Sequence, residues 1–149
     1  MKPLRIFLAG IIQGSLPDTA IHSQNYRPRL AKLLRETIPH ADVYDPTAEH
    51  ANSVHYSDEQ GRQVFFGHNY LCREMDVLIA FVPEATMGTA IEMWEGFQHG
   101  ACVITVSPLK KNWVVRFLSH HCCETLEELE AAILSGEFLQ WVEKHSQNR

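Results

Sequence analysis

A glutamate follows a predicted buried strand at a spacing that suits chemistry at the edge of a sheet. The apolar and β-branched run Asp76 to Phe81 leads into a turn of small residues and then into a helix whose start carries Glu92. Ligands bind at this edge of open α/β sheets, and Gly88 has no side chain to block their approach. Glu92 is therefore a candidate nucleophile or general base. The same pattern also suits a carboxylate that only complements the helix dipole.

The loop after the first strand is a second candidate for ligand contact. The predicted strand Leu4 to Ala9 runs into Gly10-Ile11-Ile12-Gln13-Gly14-Ser15. A glycine-bearing loop in this place can approach a ligand with its backbone donors, and Gln13 or Ser15 could hydrogen-bond a base or a sugar. The loop is not a GxGxxG motif and lacks the P-loop lysine, so a tight structural turn would have the same sequence.

Strand and helix periods alternate along the chain. Strands are expected at Leu4 to Ala9, Ala41 to Tyr44, Asp76 to Phe81 and Ala101 to Val106. Helices are expected at Gln24 to Thr37, Gln63 to Arg73, through Glu92 to His99 with Gly100 as the stop, and once or twice between Leu126 and Val142. We predict a single domain over residues 1–149. Its fold class is α/β, with a doubly wound, mostly parallel sheet of four or five strands and helices on both faces.

The segment Thr47 to Gly61 has little apolar period and is rich in His, Ser, Asn and Asp. It is expected to be a long loop, with or without a helical turn. Loops of this kind over the carboxyl edge of a sheet are often substrate lids. A solvated excursion is the alternative.

Composition excludes several classes of protein. The chain has 149 residues, 45% of them hydrophobic, which suits one compact core. A net charge of −5 with 13 Lys and Arg residues argues against binding a nucleic acid polymer. Met1-Lys2-Pro3 leads directly into a predicted strand without the long apolar region of a signal peptide, and no apolar run approaches the ~20 residues that span a bilayer, so we expect a cytoplasmic protein without membrane contact.

The four cysteines, Cys72, Cys102, Cys122 and Cys123, lack the CxxC spacing of metal sites. They are interpreted as small buried hydrophobic residues in a reducing compartment. The sequence thus predicts neither a metal site nor a cofactor.

The strand, Gly88-Thr89-Ala90-Ile91-Glu92 and the following helix, together with the opening Arg5-Ile6-Phe7-Leu8-Ala9-Gly10 and the strand Ala101 to Val106, resemble the nucleoside 2-deoxyribosyltransferase family. The nucleotide-hydrolysing branch, the 2′-deoxynucleoside 5′-phosphate N-hydrolases, is similar too. The resemblance covers about residues 4 to 135. It implies N-glycosidic chemistry on a small-molecule nucleoside or nucleotide, with Glu92 in the place of the family's nucleophile.

The resemblance also suggests where a phosphate would bind. In the resembling hydrolases the first loop reads Gly-Ser-Ile-Arg-Gly-Gly, and its serine and arginine serve the phosphate; here those places hold Ile11 and Gln13. Six residues before the nucleophile, the transferases have an aspartate and the hydrolases a small hydroxyl residue. Thr86 stands there, and its hydroxyl could donate to an anionic oxygen or simply cap the helix.

A polar loop after the strand Ala101 to Val106 holds further phosphate or dimer-loop candidates. They are Ser107, Lys110, Lys111 and Asn112. In the resembling hydrolases this loop contributes phosphate contacts across a dimer interface. A solvated basic turn is the simpler alternative.

One position departs from the family. Eight residues before Asp76, where the family has an aspartate that orients the sugar or helps proton transfer, this chain has His68, followed by Asn69. A histidine could take part of that role because it titrates near neutrality. If the helix is shifted by one residue, Asn69 would face the site as a neutral hydrogen-bonding group. Catalytic candidates are therefore Glu92, His68 and Asn69. Substrate-binding candidates are Gly10, Ile11, Gln13, Gly14, Thr86, Gly88 and Thr89.

The favoured function is cleavage or base transfer at the N-glycosidic bond of a nucleoside or nucleoside 5′-monophosphate. A non-catalytic nucleotide-binding or sensor module of the same fold is the alternative, with Glu92 accepting hydrogen bonds from ribose hydroxyls. A structural partner that associates through Trp94 and Trp113 is a third class. We expect a homodimer or higher homo-oligomer, assembled through the apolar face of the Glu92 helix at Ile91, Trp94 and Phe97.

Overall fold

The computed structural model describes all 149 residues, Met1–Arg149. Five β-strands are present: β1 Leu4–Gly10, β2 Ala41–Tyr44, β3 Val77–Phe81, β4 Cys102–Val106 and β5 His121–Cys123. Seven α-helices accompany them: α1 Tyr26–Thr37, α2 Pro46–Glu49, α3 Asp58–Cys72, α4 Met87–Gln98, α5 Trp113–Leu118, α6 Leu126–Ser135 and α7 Glu137–Gln147. A 3₁₀ turn, Ser53–His55, lies between α2 and α3.

The strands form one sheet in the order β2-β1-β3-β4-β5, and every neighbouring pair is parallel. The predicted doubly wound α/β fold is confirmed, with five strands in a wholly parallel sheet. The chain proceeds from β1 to β2 on one side and then crosses back to β3 on the other. The carboxyl ends of β1 and β3 therefore frame a crevice at the topological switch point.

Side chains of the central strands alternate between two buried faces. Ile6 and Leu8 of β1 pack with α1, α6 and α7, whereas Phe7 and Ala9 pack with α3, α4 and α5. Because both faces are covered, the strands have continuous apolar sequences rather than an apolar and polar alternation. None of the helices combines the length and the apolar character that a membrane span requires.

Helix α3 begins earlier than the sequence predicts. The residues up to Gly61 were expected to be loop, but the helix starts at Asp58, after a capping box between Ser57 and Gln60. The Gln60 N–H donates to Ser57 Oγ at 3.2 Å, and the Ser57 N–H donates to Gln60 Oε1 at 3.3 Å. The first turn of α3 is exposed, so it has no apolar period to reveal it; only the Ser-x-x-Gln spacing signals its start.

Two short elements and one cysteine also differ from the sequence prediction. Helix α5 and strand β5 were not predicted, because six and three residues are too few for a period to be visible. Cys122 lies on the exposed side of β5, so its interpretation as a buried hydrophobic residue is wrong, whereas Cys72, Cys102 and Cys123 are buried. A three-residue edge strand alternates sides, and that places neighbouring cysteines in opposite environments.

Candidate functional site

An open cavity of about 420 Å³ lies at the carboxyl edge of the sheet, beside the ends of β1 and β3. Its volume is within the range of small-molecule sites. Four segments form its walls: the loop after β1, the 3₁₀ turn and the residue that follows it, the first turns of α3, and the start of α4. The lining residues are Gly10, Ile12, Gln13, Gly14, Ser53, Val54, Tyr56, Gly61, Val64, Phe65, Thr86, Met87, Gly88, Thr89 and Glu92.

Glu92 is the one acidic side chain in this lining. It follows Gly88 and Thr89 on the same side of α4, which is the spacing of one helical turn. Burial raises the pKa of the Glu92 carboxyl to about 8, and the positive charge of Arg27 acts in the opposite direction. A carboxylate shifted in this way at a cavity floor is a typical functional-site candidate.

Arg27 is a buried cation beneath the cavity that sequence reasoning missed. Its guanidinium donates to the carbonyl oxygens of Leu8 at 2.7 Å and Gly10 at 3.0 Å, and to Gln24 Oε1 at 2.6 Å. It also lies 3.4 Å from Asp45 Oδ1. These bonds fix the end of β1 and place a positive charge near Glu92.

A signal for Arg27 was present in the sequence. The apolar face of α1 includes Leu30, Ala31 and Leu34, and Arg27 lies on that same face one turn earlier. An arginine within an apolar helical stripe has to find acceptors inside the protein. Here the acceptors are carbonyl oxygens of the first strand and the carboxylate of Asp45.

Tyr26, also missed, lies directly under Gly10. Its hydroxyl is buried and has no hydrogen-bond partner. Burial raises the pKa of Tyr26 to about 12, opposed by the charge of Arg27 and reinforced by the charges of Asp45 and Glu92. The phenol is therefore neutral and close to Glu92.

The start of α4 presents free backbone donors to the cavity. Thr86 occupies the N-cap position, but its side chain makes no capping hydrogen bond. Its Oγ1 instead lies 3.3 Å from Thr89 Oγ1. The first-turn N–H groups of an uncapped helix can donate to an oxygen of a ligand, and the helix dipole favours a negatively charged one. The space beside Gly88 is open, because a Cβ built at this position would meet no atom within 4 Å.

The loop after β1 has a fixed shape. Gly14 has a φ of +57°, a left-handed conformation that favours glycine, and a Cβ there would lie 2.6 Å from Ile11 Cδ1, so the end of that side chain would have to shift. Gln13 lines the cavity, and its amide donates to the carbonyl oxygen of Asp18 at 2.6 Å. Ile11 is buried and does not line the cavity.

His68 and Asn69 lie away from the cavity lining. His68 Nε2 lies 3.1 Å from the Tyr44 hydroxyl, and the ring packs edge-on against Phe7 and Tyr44. Burial lowers the pKa of His68, and the charges of His50 and Arg27 lower it further. Asn69 is buried at the packed side of α3. The structure thus brings Glu92 and the first loop together at one cavity. His68 and Asn69 do not line this cavity.

The four phosphate or dimer-loop candidates also lie outside the Glu92 cavity. Ser107 is fully buried and accepts from the Leu109 N–H at 3.1 Å. Lys110 lies 3.4 Å from Glu124, and Lys111 is exposed. Asn112 caps α5 by accepting from the N–H groups of Val114 and Val115. Of the four, Asn112 alone lines a neighbouring apolar cavity of about 410 Å³, which shares Gly14, Thr86 and Met87 with the first.

A group of metal-ligating side chains lies at the opposite, amino-terminal edge of the sheet. Donor atoms of Cys102, His120 and His145 are within 4.8 Å of one another. His120 Nδ1 accepts from the Val103 N–H at 2.9 Å, and His145 Nε2 contacts the Gly100 carbonyl oxygen at 3.0 Å. An imidazole that accepts at Nδ1 carries its proton on Nε2, so a metal ion would have to break the bond to Val103. These contacts join α7 to the amino-terminal edge of the sheet.

Comparison with known proteins addresses the fold. No family model matches the chain, and no curated protein matches its sequence significantly. Among solved structures, a 2-deoxyribosyltransferase from the psychrotolerant bacterium Bacillus psychrosaccharolyticus is similar, with a TM-score of 0.62, 20% identity, and coverage of 85% of this chain and 90% of that chain. A conserved protein from Enterococcus faecalis V583 is similar at a TM-score of 0.53, with 17% identity and 99% of both chains covered. The chain therefore has the fold of a 2-deoxyribosyltransferase.

Proposed function

We propose that the protein cleaves the N-glycosidic bond of a nucleoside or nucleoside 5′-monophosphate, or transfers its base, with Glu92 as the nucleophile. The observation that carries this proposal is the position of Glu92. Its carboxyl lies in a cavity of about 420 Å³, at the sheet edge where ligands bind in this type of fold.

The chemistry follows from bond cleavage at C1′ of the sugar. Departure of the base leaves positive charge on C1′, and a carboxylate on the opposite face stabilises this charge or forms a covalent ester. Water then hydrolyses the ester, or a second base completes the transfer. Partial desolvation of Glu92 strengthens its interaction with a developing cation. The charge of Arg27 has a separate effect, because it favours the ionised form of the Glu92 carboxyl.

The structural comparison supports this reading. The similar enzyme from Bacillus psychrosaccharolyticus is a 2-deoxyribosyltransferase described as a biocatalyst for the synthesis of nucleosides. The likeness at 20% identity is one of fold, and we extend it to the substrate class because Glu92 occupies the edge that the fold reserves for ligands. The uncapped first turn of α4, with Thr86, Gly88 and Thr89, is the part of the cavity suited to a phosphate or hydroxyl oxygen.

The decisive experiment compares the wild type with Glu92→Gln on a panel of nucleosides and 5′-monophosphates, with and without an acceptor base. Free or exchanged base is measured by chromatography. We expect turnover by Glu92→Gln to fall by at least about 10²- to 10³-fold, with little change in KM, because the amide keeps the shape but loses the charge. Base release by the wild type should increase as the pH rises towards 8, where Glu92 loses its proton.

Glu95→Gln is the matched control. Glu95 lies on the same helix, and its Oε2 accepts from Arg73 Nε at 2.7 Å outside the cavity. The same chemical change there should leave turnover near the wild-type rate. If Glu92→Gln and Glu95→Gln behave alike, Glu92 is not the nucleophile.

A non-catalytic nucleotide-binding or sensor module is the second candidate. The placement of His68 favours it, because the residue in the position of the family's aspartate contacts Tyr44 and does not line the cavity. In this case nucleotides would bind to the wild type and to Glu92→Gln without any release of base. Isothermal titration alongside the activity panel separates the two functions.

The protein is also expected to form a homodimer. Exposed apolar side chains continue along α4 and α5, including Trp94 at 48% exposure and Trp113 at 74%. A patch of this kind on a soluble domain is typical of an association surface. Light scattering should give a dimer for the wild type and a monomer for Trp94→Glu. Leu134→Glu, at an exposed apolar site on α6, is the matched control and should remain dimeric.

A further inference from the structure

The wall of the cavity contributed by the segment before α3 contains a tyrosine. Tyr56 lines the cavity together with Ser53 and Val54. Among all the lining residues, only Glu92 carries a carboxyl group and only Tyr56 carries a phenol. The two residues come from segments far apart in the chain. Glycosidic cleavage requires a nucleophile and a proton donor, and Glu92 offers the first and Tyr56 the second.

The position of Tyr56 is fixed by its backbone. Its N–H donates to the Ser53 carbonyl oxygen at 3.1 Å, which closes the 3₁₀ turn. The next residue, Ser57, is the N-cap of α3 within the capping box. Tyr56 therefore lies between two hydrogen-bonded elements, and its side chain is presented from a defined point of the wall.

Its hydroxyl has a specific partner. The Tyr56 oxygen lies 2.9 Å from His50 Nδ1, and the two rings meet edge to face at 5.9 Å between centroids. The His50 ring in turn packs against His68 at 5.4 Å. An imidazole can either accept the phenolic proton or donate one, so His50 is placed to orient this hydroxyl and to exchange a proton with it.

The other polar side chains of the cavity are aliphatic hydroxyls and an amide, which release a proton less readily than a phenol does. Thr86 and Thr89 contact each other through their hydroxyls. The amide of Gln13 donates to a carbonyl oxygen. His68, the proton-transfer candidate from the family resemblance, contacts Tyr44 and lies outside the lining.

We propose that Tyr56 is the general acid that protonates the leaving base, oriented by His50. This inference rests on the proposed function. The C1′–N bond breaks and its electron pair goes to the base, Tyr56 gives its hydroxyl proton to that base, and a new C1′–O bond forms to Glu92. In the second step water or an acceptor base attacks C1′, the C1′–O bond to Glu92 breaks with its electron pair returning to the carboxylate, and the attacking group gives a proton to the Tyr56 oxygen, which restores both side chains. General acid catalysis of this kind contributes about 10²- to 10⁴-fold to a rate.

The test uses leaving groups that differ in their need for a proton. The purine pair is a nucleoside and its N7-methylated analogue, whose base leaves as a neutral molecule without protonation. The pyrimidine pair is deoxyuridine and 5-fluorodeoxyuridine, whose base is the more stable anion. We expect Tyr56→Phe to lower kcat/KM by about 10²-fold or more on the ordinary nucleoside and much less on its activated partner. His50→Gln should show the same pattern with a smaller loss.

Two variants serve as controls. Tyr70→Phe makes the same chemical change at an exposed tyrosine of α3 outside the cavity lining, and it should behave as the wild type on both substrates. Glu92→Gln should lose activity on both, because the charge at C1′ is needed with any leaving group. If Tyr56→Phe loses the same activity on both members of a pair, or loses none on either, Tyr56 is not the general acid. The proposed function itself would still stand. If the wild type releases no base from any substrate, the proposed function fails as a whole.

Discussion

A side chain of any size at Gly10 would overlap the hydroxyl oxygen of Tyr26. Gly10 ends β1 at the cavity, and Tyr26 begins α1 beneath it. The absent side chain thus lets the phenol reach the sheet edge, close enough for the charge of Glu92 to raise the pKa of Tyr26. Gly10 is needed here for close approach rather than for an unusual backbone conformation.

This relationship predicts a coupled pair of substitutions. Gly10→Ala should lower the free energy of unfolding by about 1–3 kcal/mol, because the new methyl group forces Tyr26 aside. Tyr26→Phe alone should be nearly neutral, since the hydroxyl it removes has no partner. The double variant should recover part of the loss, as the ring carbon Cζ and Phe81 Cβ remain within 3.3 Å of the new atom. Urea unfolding of the four proteins gives the coupling energy, and strict additivity would contradict the predicted overlap.

The raised pKa of Glu92 makes stability depend on pH. Above pH 4.5, the ordinary value, the unfolded chain loses this proton while the folded protein keeps it up to about pH 8. Ionisation therefore favours the unfolded state more and more across this window. Glu92→Gln removes the effect, so its stability relative to the wild type should rise from pH 4.5 to 8 and then level off.

The effect of Glu95→Gln on the free energy of unfolding should have the opposite sign to that of Glu92→Gln. A hydrogen bond from Arg73, and then its charge, lowers the pKa of Glu95 against the opposing effect of burial. The ionised carboxylate thus favours the folded state above the ordinary carboxyl pKa. Urea midpoints at pH 5, 7 and 9 should therefore show Glu95→Gln below the wild type by a constant amount, because the pKa of Glu95 lies below the ordinary 4.5, whereas Glu92→Gln gains stability relative to the wild type over the same range. A parallel response of the two variants would contradict the assignment for Glu92.

Arg27 should matter both for stability and for the ionisation of Glu92. Arg27→Met leaves Asp45 buried without its cation and removes the donors to the carbonyls of Leu8 and Gly10. We expect a loss of about 3–5 kcal/mol, typical of breaking a buried ion pair. Because the charge of Arg27 lowers the pKa of Glu92, the variant should also move its titration to higher pH.

The surface pair of Arg29 and Glu130 provides the comparison for Arg27. Arg29 lies two residues further along α1, is exposed, and pairs with Glu130 at 2.7 Å. Arg29→Met should therefore cost about 1 kcal/mol or less. NMR titration of the Glu92 carboxyl carbon in both variants reports the pKa directly. An unchanged Glu92 titration in Arg27→Met would show that the two charges do not interact.

Gly88 offers a way to block the cavity without disturbing the fold. A Cβ at this position meets no atom within 4 Å, so Gly88→Val should leave the melting temperature unchanged or slightly higher. Its methyl groups would occupy cavity space beside Glu92, and nucleoside binding should weaken by about 10-fold or more, since displaced ligand contacts are each worth roughly 1 kcal/mol. Gly67→Val is the control, in equally open surroundings on α3 but outside the lining. Equal affinities of the two variants would place the ligand elsewhere.

The sequence by itself determined the layered fold and the place of Glu92. Continuous apolar strands such as Val77–Phe81, separated by helical periods, allow few arrangements other than a parallel sheet covered on both faces. The order of strand, small-residue turn and helix then places Glu92 at the carboxyl edge. Local patterns were sufficient here because burial imposes a period on each element separately. The first turn of α3 is exposed and therefore has no apolar period, so the helix begins earlier than the sequence predicted.

The tertiary structure alone decided which side chains outside the first loop and α4 share the cavity with Glu92. Tyr56 is brought there by a segment without an apolar period, and His68, on the same helix as the lining residues Val64 and Phe65, contacts Tyr44 instead. Arg27 lies beneath the site because it finds acceptors on β1, which the sequence of α1 cannot specify. Periodicity encodes whether a side chain is buried, whereas its partner depends on how separate elements pack together. The carboxylate and the loops that flank it were therefore predictable, whereas the groups contributed by α1 and by the segment before α3 were not.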